Sequence, residues 1–182
     1  MLKIRPQSAI AVALAFLFAL SNAVQAFPAG ARAALDFRLK TTDGGEISSE
    51  ILRGDVVVLA FGASWLPLSK TQVQGVQELA DEFGERNVRV YWVSTDSDSP
   101  KSKNYASDEQ LRAFARKNGL KVAVLRDPDG ALFKQTGADQ LPSIVILNRA
   151  GEISGSPIGG IDPRRKLVET LAPRLKPLLD EK

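Results

Sequence analysis

Six consecutive apolar residues, Val56-Val57-Val58-Leu59-Ala60-Phe61, follow the turn signal Gly54-Asp55. A strand with one wet face alternates apolar and polar residues, so an unbroken run reads as a strand buried on both faces. Such a strand needs a packing layer on each side, which places it at the centre of a layered domain. Downstream, Val73, Val76, Leu79, Ala80 and Phe83 recur at helical spacing and predict an amphipathic helix from near Ser69 to about Arg86. Val88 to Ser94 reads as a second core strand.

The remaining punctuation extends this strand–helix alternation. Ala34 to Lys40 predicts a first strand, Thr42-Asp43-Gly44-Gly45 a turn, and Glu46 to Ser48 a short strand. Asp96 to Ser107 is polar and loop-like. Ser107 is a helix cap with acidic residues after it, opening a helix that Gly119 ends. Val122 to Arg126 predicts a strand, Asp127-Pro128-Asp129-Gly130 a turn, and Ala131 to Thr136 a brief helix. Pro142 opens a strand from Ser143 to Leu147, and Glu152 to Ser156 is expected to complete a hairpin with it. A last helix is expected from Asp162 or Pro163 to about Leu179, with Pro173 and Pro177 distorting or fragmenting it. The pattern predicts an α/β domain with helices on both faces of a sheet.

The chain contains no cysteine and no histidine. This removes disulfides, thiolate chemistry, zinc sites of nitrogen and sulfur ligands, and any serine–histidine pair. At 182 residues and 44% hydrophobic content, one domain can bury a core large enough to stand without disulfides. The formal net charge is +3, but setting aside Lys3 and Arg5 leaves 22 basic residues against 21 acidic ones. Nucleic-acid binding is therefore not expected despite the basic isoelectric point. Oxygen-ligand metal sites reduce to two pairs, Asp96 with Asp98 and Asp127 with Asp129. Neither forms a complete calcium loop, and no metal or cofactor is expected.

The first 26 residues read as a secretory signal. Lys3 and Arg5 supply a positive start, Ala9 to Leu20 an apolar stretch, and Val24-Gln25-Ala26 a small-residue cleavage site. Twelve apolar residues are short for a membrane span, which needs about 20. Residues 1–26 are thus expected to be removed, leaving residues 27–182 as a single domain, periplasmic or secreted. The alternative is an uncleaved N-terminal membrane anchor.

Seven landmarks stand in order along the chain: Ala34-Leu35-Asp36-Phe37-Arg38-Leu39, Gly44 with Leu52-Arg53-Gly54, Phe61-Gly62-Ala63-Ser64-Trp65, Val93-Ser94-Thr95-Asp96, Asp127-Pro128-Asp129-Gly130, Leu141-Pro142 and Arg149-Ala150-Gly151-Glu152. Over residues 34–179 the chain resembles the periplasmic TlpA/ResA-type (redoxin) branch of thioredoxin-like proteins. The resemblance implies a thioredoxin-like fold with a central mixed β-sheet and helices on both faces. It also implies a Trp-Cys-Pro-x-Cys-Lys/Arg motif at the strand-to-helix corner, where this chain has Trp65-Leu66-Pro67-Leu68-Ser69-Lys70. Leu66 stands at the nucleophilic cysteine and Ser69 at the resolving one. Gln72 stands where many relatives carry a glutamate.

The expected catalytic set is therefore empty, with Leu66 and Ser69 as degenerate redox positions. A catalytic Ser69 would need Lys70 as its base, and adjacent residues at a helix start seldom converge. In the family the proline matching Pro142 is cis and faces the redox motif, so Trp65, Leu66, Pro67, Leu68, Leu141 and Pro142 form an expected partner groove. The bland alternative is that Pro142 serves only the fold and the leucines pack locally. The sequence favours a redox-inactive protein that binds another periplasmic protein or an extended polypeptide, as a chaperone-like or assembly factor. It expects no nucleic acid and no membrane insertion after cleavage. The alternative, a thiol-disulfide oxidoreductase or peroxidase by whole-domain similarity, lacks its cysteine.

Overall fold

The computed structural model describes residues 33–180. The expected signal sequence and its cleavage site lie outside those residues. Among the described residues no helix is long and apolar enough to cross a membrane.

The elements run β1 (Arg38–Lys40), β2 (Glu46–Ser48), β3 (Val56–Gly62), α1 (Pro67–Phe83), β4 (Val88–Ser94), α2 (Asp108–Lys117), β5 (Val124–Arg126), α3 (Ala131–Gln135), β6 (Ser143–Leu147), β7 (Ile158–Gly159) and α4 (Leu167–Asp180). A one-turn 3₁₀ segment, Gly84–Arg86, links α1 to β4. The central sheet has the order β5-β4-β3-β6-β7, with β1 and β2 paired separately. β3 is parallel to β4 and antiparallel to β6, so the sheet is mixed.

The apolar run became the central strand for the reason its sequence gives. Val56, Val58 and Ala60 join one core cluster with residues of α1, α2 and α4. Val57, Leu59 and Phe61 point the other way, into a second cluster with Phe37 of the leading segment and Leu132 of α3. The layers are unequal: three helices cover one face, while the short α3 and the β1–β2 hairpin cover the other. On the helical side α1 and α4 approach closely at Gly75, where a Cβ would fall 2.7 Å from the Cβ of Leu167.

Local expectations met three corrections. β1 is shorter than predicted, because Leu35 is held by a hydrogen bond to the Gly151 carbonyl (2.9 Å) rather than by a strand. The hairpin after β6 reduces to one bridge, Leu147 to Ile153, before Gly155 (φ 74) and Pro157 interrupt it; Ile158–Gly159 then pairs with Ser143–Ile144. The final helix begins at Leu167 and runs unbroken through Pro173 and Pro177. Each interior proline costs about 3 kcal/mol in an isolated helix. Here both lie on the exposed face, where the carbonyls they leave unpaired are open to solvent, and the burial of Leu167, Leu171, Leu175 and Leu178 opposes that cost. Ser107 caps α2 as expected, in a reciprocal capping box with Gln110.

Candidate functional site

β3 ends at Gly62, and the chain turns through Ala63-Ser64-Trp65-Leu66 into α1. The helix opens at Pro67, two residues before the expected start, with Leu66 extended at its N-cap (φ −79, ψ 128) and no side-chain cap. Proline suits this place, since the first helical N–H has no partner inside the helix. β6 is antiparallel to β3 with Phe61 opposite Ser143, so Leu141 and Pro142 arrive at the same end of the sheet. The Leu141–Pro142 peptide bond is cis.

The inner face of this corner is closed by a neutral hydrogen-bond network. Ser69 and Gln72 have no solvent exposure. The Gln72 amide Nε2 donates to the carbonyls of Phe61 and Ser143, both at 3.1 Å, and its Oε1 accepts from the Trp92 indole at 3.0 Å. Ser69 Oγ accepts from the Ala63 N–H at 3.2 Å. The network leaves no room at Gly62, where a Cβ would fall 2.6 Å from Gln72 Oε1 and 2.9 Å from both Ser69 Oγ and Trp92 Nε1. Such contacts are too short for any larger residue without displacement. Ser143 Oγ is the one buried side-chain polar atom without a hydrogen-bond partner among the described residues. A catalytic Ser69 fails on geometry, because its hydroxyl is sealed inside while Lys70 is exposed.

A second anchor holds the turn itself. Asp96, 1% exposed, accepts the Ser64 N–H (2.8 Å), the Ser64 hydroxyl (2.7 Å) and the Ser94 hydroxyl (2.8 Å). Three donors to one carboxylate stabilise a charge that burial would otherwise penalise. Asp96 is thus committed to the turn, while Asp98 is exposed. Asp127 is equally occupied, accepting the N–H groups of Leu132 (3.1 Å) and Phe133 (2.8 Å) at the start of α3. Burial pushes its carboxyl above the usual aspartate range, and those two amides act in the opposite direction. Among the described residues no three carboxylates converge to hold a metal.

The outer face differs. Trp65 is 54% exposed and Leu68 39%, Pro67 is exposed, and Leu66 and Leu141 are half-buried. Pro142 is buried, and its carbonyl accepts the Gly160 N–H at 2.9 Å. One residue earlier, the Leu141 N–H and carbonyl make no hydrogen bond among the described residues. The six predicted groove residues therefore come from two chain segments gathered at one end of the sheet. Sequence reasoning missed Asp96, Ser64 and the hub role of Gln72. Apart from Ser94, two residues from Asp96, their partners lie 11 to 71 residues away in the chain, beyond any local pattern.

Residues 31–156, well over half of the chain, match the AhpC/TSA family. This chain belongs to the AhpC/TSA family. It is similar to the sporulation thiol-disulfide oxidoreductase A of Bacillus subtilis, at 28% identity over 127 residues, covering 68% of this chain and 70% of that protein. It is also similar to the thiol-disulfide oxidoreductase ResA of Halalkalibacterium halodurans, at 24% identity over 170 residues, covering 92% of this chain and 90% of that one. Among solved structures, a Chlorobium tepidum protein assigned as thiol:disulfide interchange protein DsbE superposes with a TM-score of 0.67 at 22% identity, over 80% of this chain and 94% of that one. The fold is thioredoxin-like, and the chain lies close to the ResA/TlpA-type members of the redoxin family. Thiol–disulfide exchange begins with a thiolate attacking a disulfide, and this chain has no cysteine to supply one.

Proposed function

We propose that this protein is an extracytoplasmic, redox-inactive member of its family that binds an extended polypeptide, in a chaperone-like or assembly role. One observation carries the reading: the two faces of the β3–α1 corner differ. Ser69 and Gln72 seal the inner side with satisfied hydrogen bonds, while the outer side keeps Trp65 and Leu68 exposed beside the unpaired Leu141 backbone. An extended segment pairing with Leu141 would gain main-chain hydrogen bonds and cover the Trp65–Leu68 corner. The location rests on the signal-like N-terminus, with cleavage after Ala26 the expected processing and Phe27 the expected first residue.

The test is binding of a permanently unfolded, carboxymethylated protein, read by the fluorescence of Trp65. Binding should shift its emission to the blue, and Trp65→Phe should abolish that shift. Trp65→Ser with Leu68→Ser should weaken binding about tenfold or more, as loss of two apolar anchors does. Equal binding by wild type and double variant would refute the groove. Catalytic silence is tested separately, since purified protein should neither reduce insulin disulfides nor consume peroxide above a buffer blank.

A further inference from the structure

A cleft of about 1270 Å³ lies away from the corner, and none of the six groove residues lines it. One wall is the β1–β2 hairpin. The other is made by Asp98, the start of α2 and the turn from β5 into α3, with Phe37, Leu39 and Leu132 contributing apolar surface.

The hairpin wall carries a free strand edge. Phe37 and Thr41 turn their backbone bonds toward β2, with Ser49 N–H donating to the Phe37 carbonyl and Thr41 N–H to the Gly45 carbonyl, both at 2.9 Å. Alternation then directs the backbone groups of Arg38 to the opposite edge. That edge meets β5 at a single bridge, Thr41 to Leu125, beside a hydrogen bond from Thr42 N–H to the Val124 carbonyl at 3.0 Å. Toward Arg38 the cleft lies between the two strands, and among the described residues no strand pairs with Arg38 on that edge.

The walls differ in charge. On the hairpin, Arg38 is neutralised by Glu46 at 2.5 Å, and Asp36 balances Lys40. The opposite wall sets four carboxylates, Asp98, Asp108, Asp127 and Asp129, against Arg126 and Lys134. Arg126 is buried and already engaged by the carbonyls of Ala106 (2.8 Å) and Asp96 (3.5 Å) and by Asp108 at 3.6 Å. An anion is therefore opposed by the surplus charge, and the carboxylates do not converge on a metal ion.

We propose that this cleft binds an extended, lysine- or arginine-bearing polypeptide segment added as a strand along the free edge of β1. Backbone hydrogen bonds come from the neutral hairpin wall, and the acidic wall selects the cationic side chains. This is a second binding surface, independent of the corner.

The probe is a labelled peptide of about eight alternating lysine and valine residues, the length of an ordinary strand, with a glutamate–valine peptide as its counterpart. Anisotropy titrations at low salt should show binding of the lysine peptide only, and amide chemical-shift changes should centre on Arg38 to Lys40. Asp98→Asn with Asp129→Asn, both at exposed carboxylates, should raise Kd about three- to tenfold, the loss expected for two exposed charge pairs. Trp65→Ser with Leu68→Ser should leave Kd unchanged, so failure of this site and failure of the corner are read separately. Methylating the peptide's alternate backbone amides should abolish binding with the protein untouched. No binding, equal binding of the glutamate peptide, insensitivity to the paired Asn substitutions, or shifts confined to the corner would each overturn the proposal.

Discussion

On the inner face of the β3–α1 corner, Ser69, Gln72 and Trp92 direct their polar atoms at one another's surroundings, whereas on the outer face Trp65 and Leu68 hold apolar side chains in solvent. Both faces descend from the same strand-to-helix turn, and the resemblance to thiol-disulfide proteins placed the two cysteines there. The contrast teaches that one turn can carry a satisfied polar interior and an uncovered apolar exterior side by side. Ser69 is absorbed into the core, with Gln72 behind it. Leu66 is half-buried, next to Trp65 and Leu68, which remain exposed. Stability should therefore reside in the inner face and recognition in the outer one.

Gln72→Leu tests the inner face most severely. It strands the Trp92 indole N–H inside a packed core and leaves the carbonyls of Phe61 and Ser143 with only their β3–β6 ladder bonds, and should destabilise the protein by about 2–3 kcal/mol in urea unfolding. A loss within experimental error would mean that the network is incidental. Next is Gly62→Ala, whose Cβ would meet three side-chain atoms closer than 3.0 Å. Overpacking of this kind should cost about 1–3 kcal/mol, read from the same unfolding curves, and a neutral result would show a looser inner face.

Asp127 sharpens the contrast through pH. Its folded value is raised by burial, so ionisation disfavours the fold. Its stabilising contribution is fully present below the ordinary aspartate value of 3.8 and is lost as pH rises through the raised folded value. The stability of wild type minus that of Asp127→Asn should accordingly grow as pH falls from neutral toward 4. A difference that is flat or of opposite slope would place the α3 cap outside this account. The smallest expected change in stability belongs to the outer face: Trp65→Ser with Leu68→Ser should alter it by about 0.5 kcal/mol or less while weakening polypeptide binding at the corner about tenfold or more. A large destabilisation there would mean that the exposed residues serve packing instead.

Much of the fold was legible because its signals are local. β3 and β4 were readable as apolar runs, α1 as a 3.6-residue stripe, α2 from Ser107 and Gln110, and the turns from Gly, Pro and Asp. The corrections fall where local signals compete with distant partners. Pro173 and Pro177 read as helix breakers, but neither can reveal which side of the helix faces water. Asp96 reads as a loop carboxylate, and only the fold brings Ser64 to it from 32 residues away.

What the sequence determined alone is the chemistry that is impossible: with no cysteine and no histidine anywhere, no arrangement of this chain can create a thiolate or an imidazole. It also determined the α/β alternation, because hydrophobic period depends only on neighbouring residues. Tertiary structure decided that Ser69 is buried and that Trp65 and Leu68 are accessible, since burial depends on residues distant in the chain. The same dependence set the open edge of β1 against the acidic wall across the cleft. A strand edge becomes a surface only when the sheet beside it stops pairing, and no local pattern in β1 records where β5 turns away.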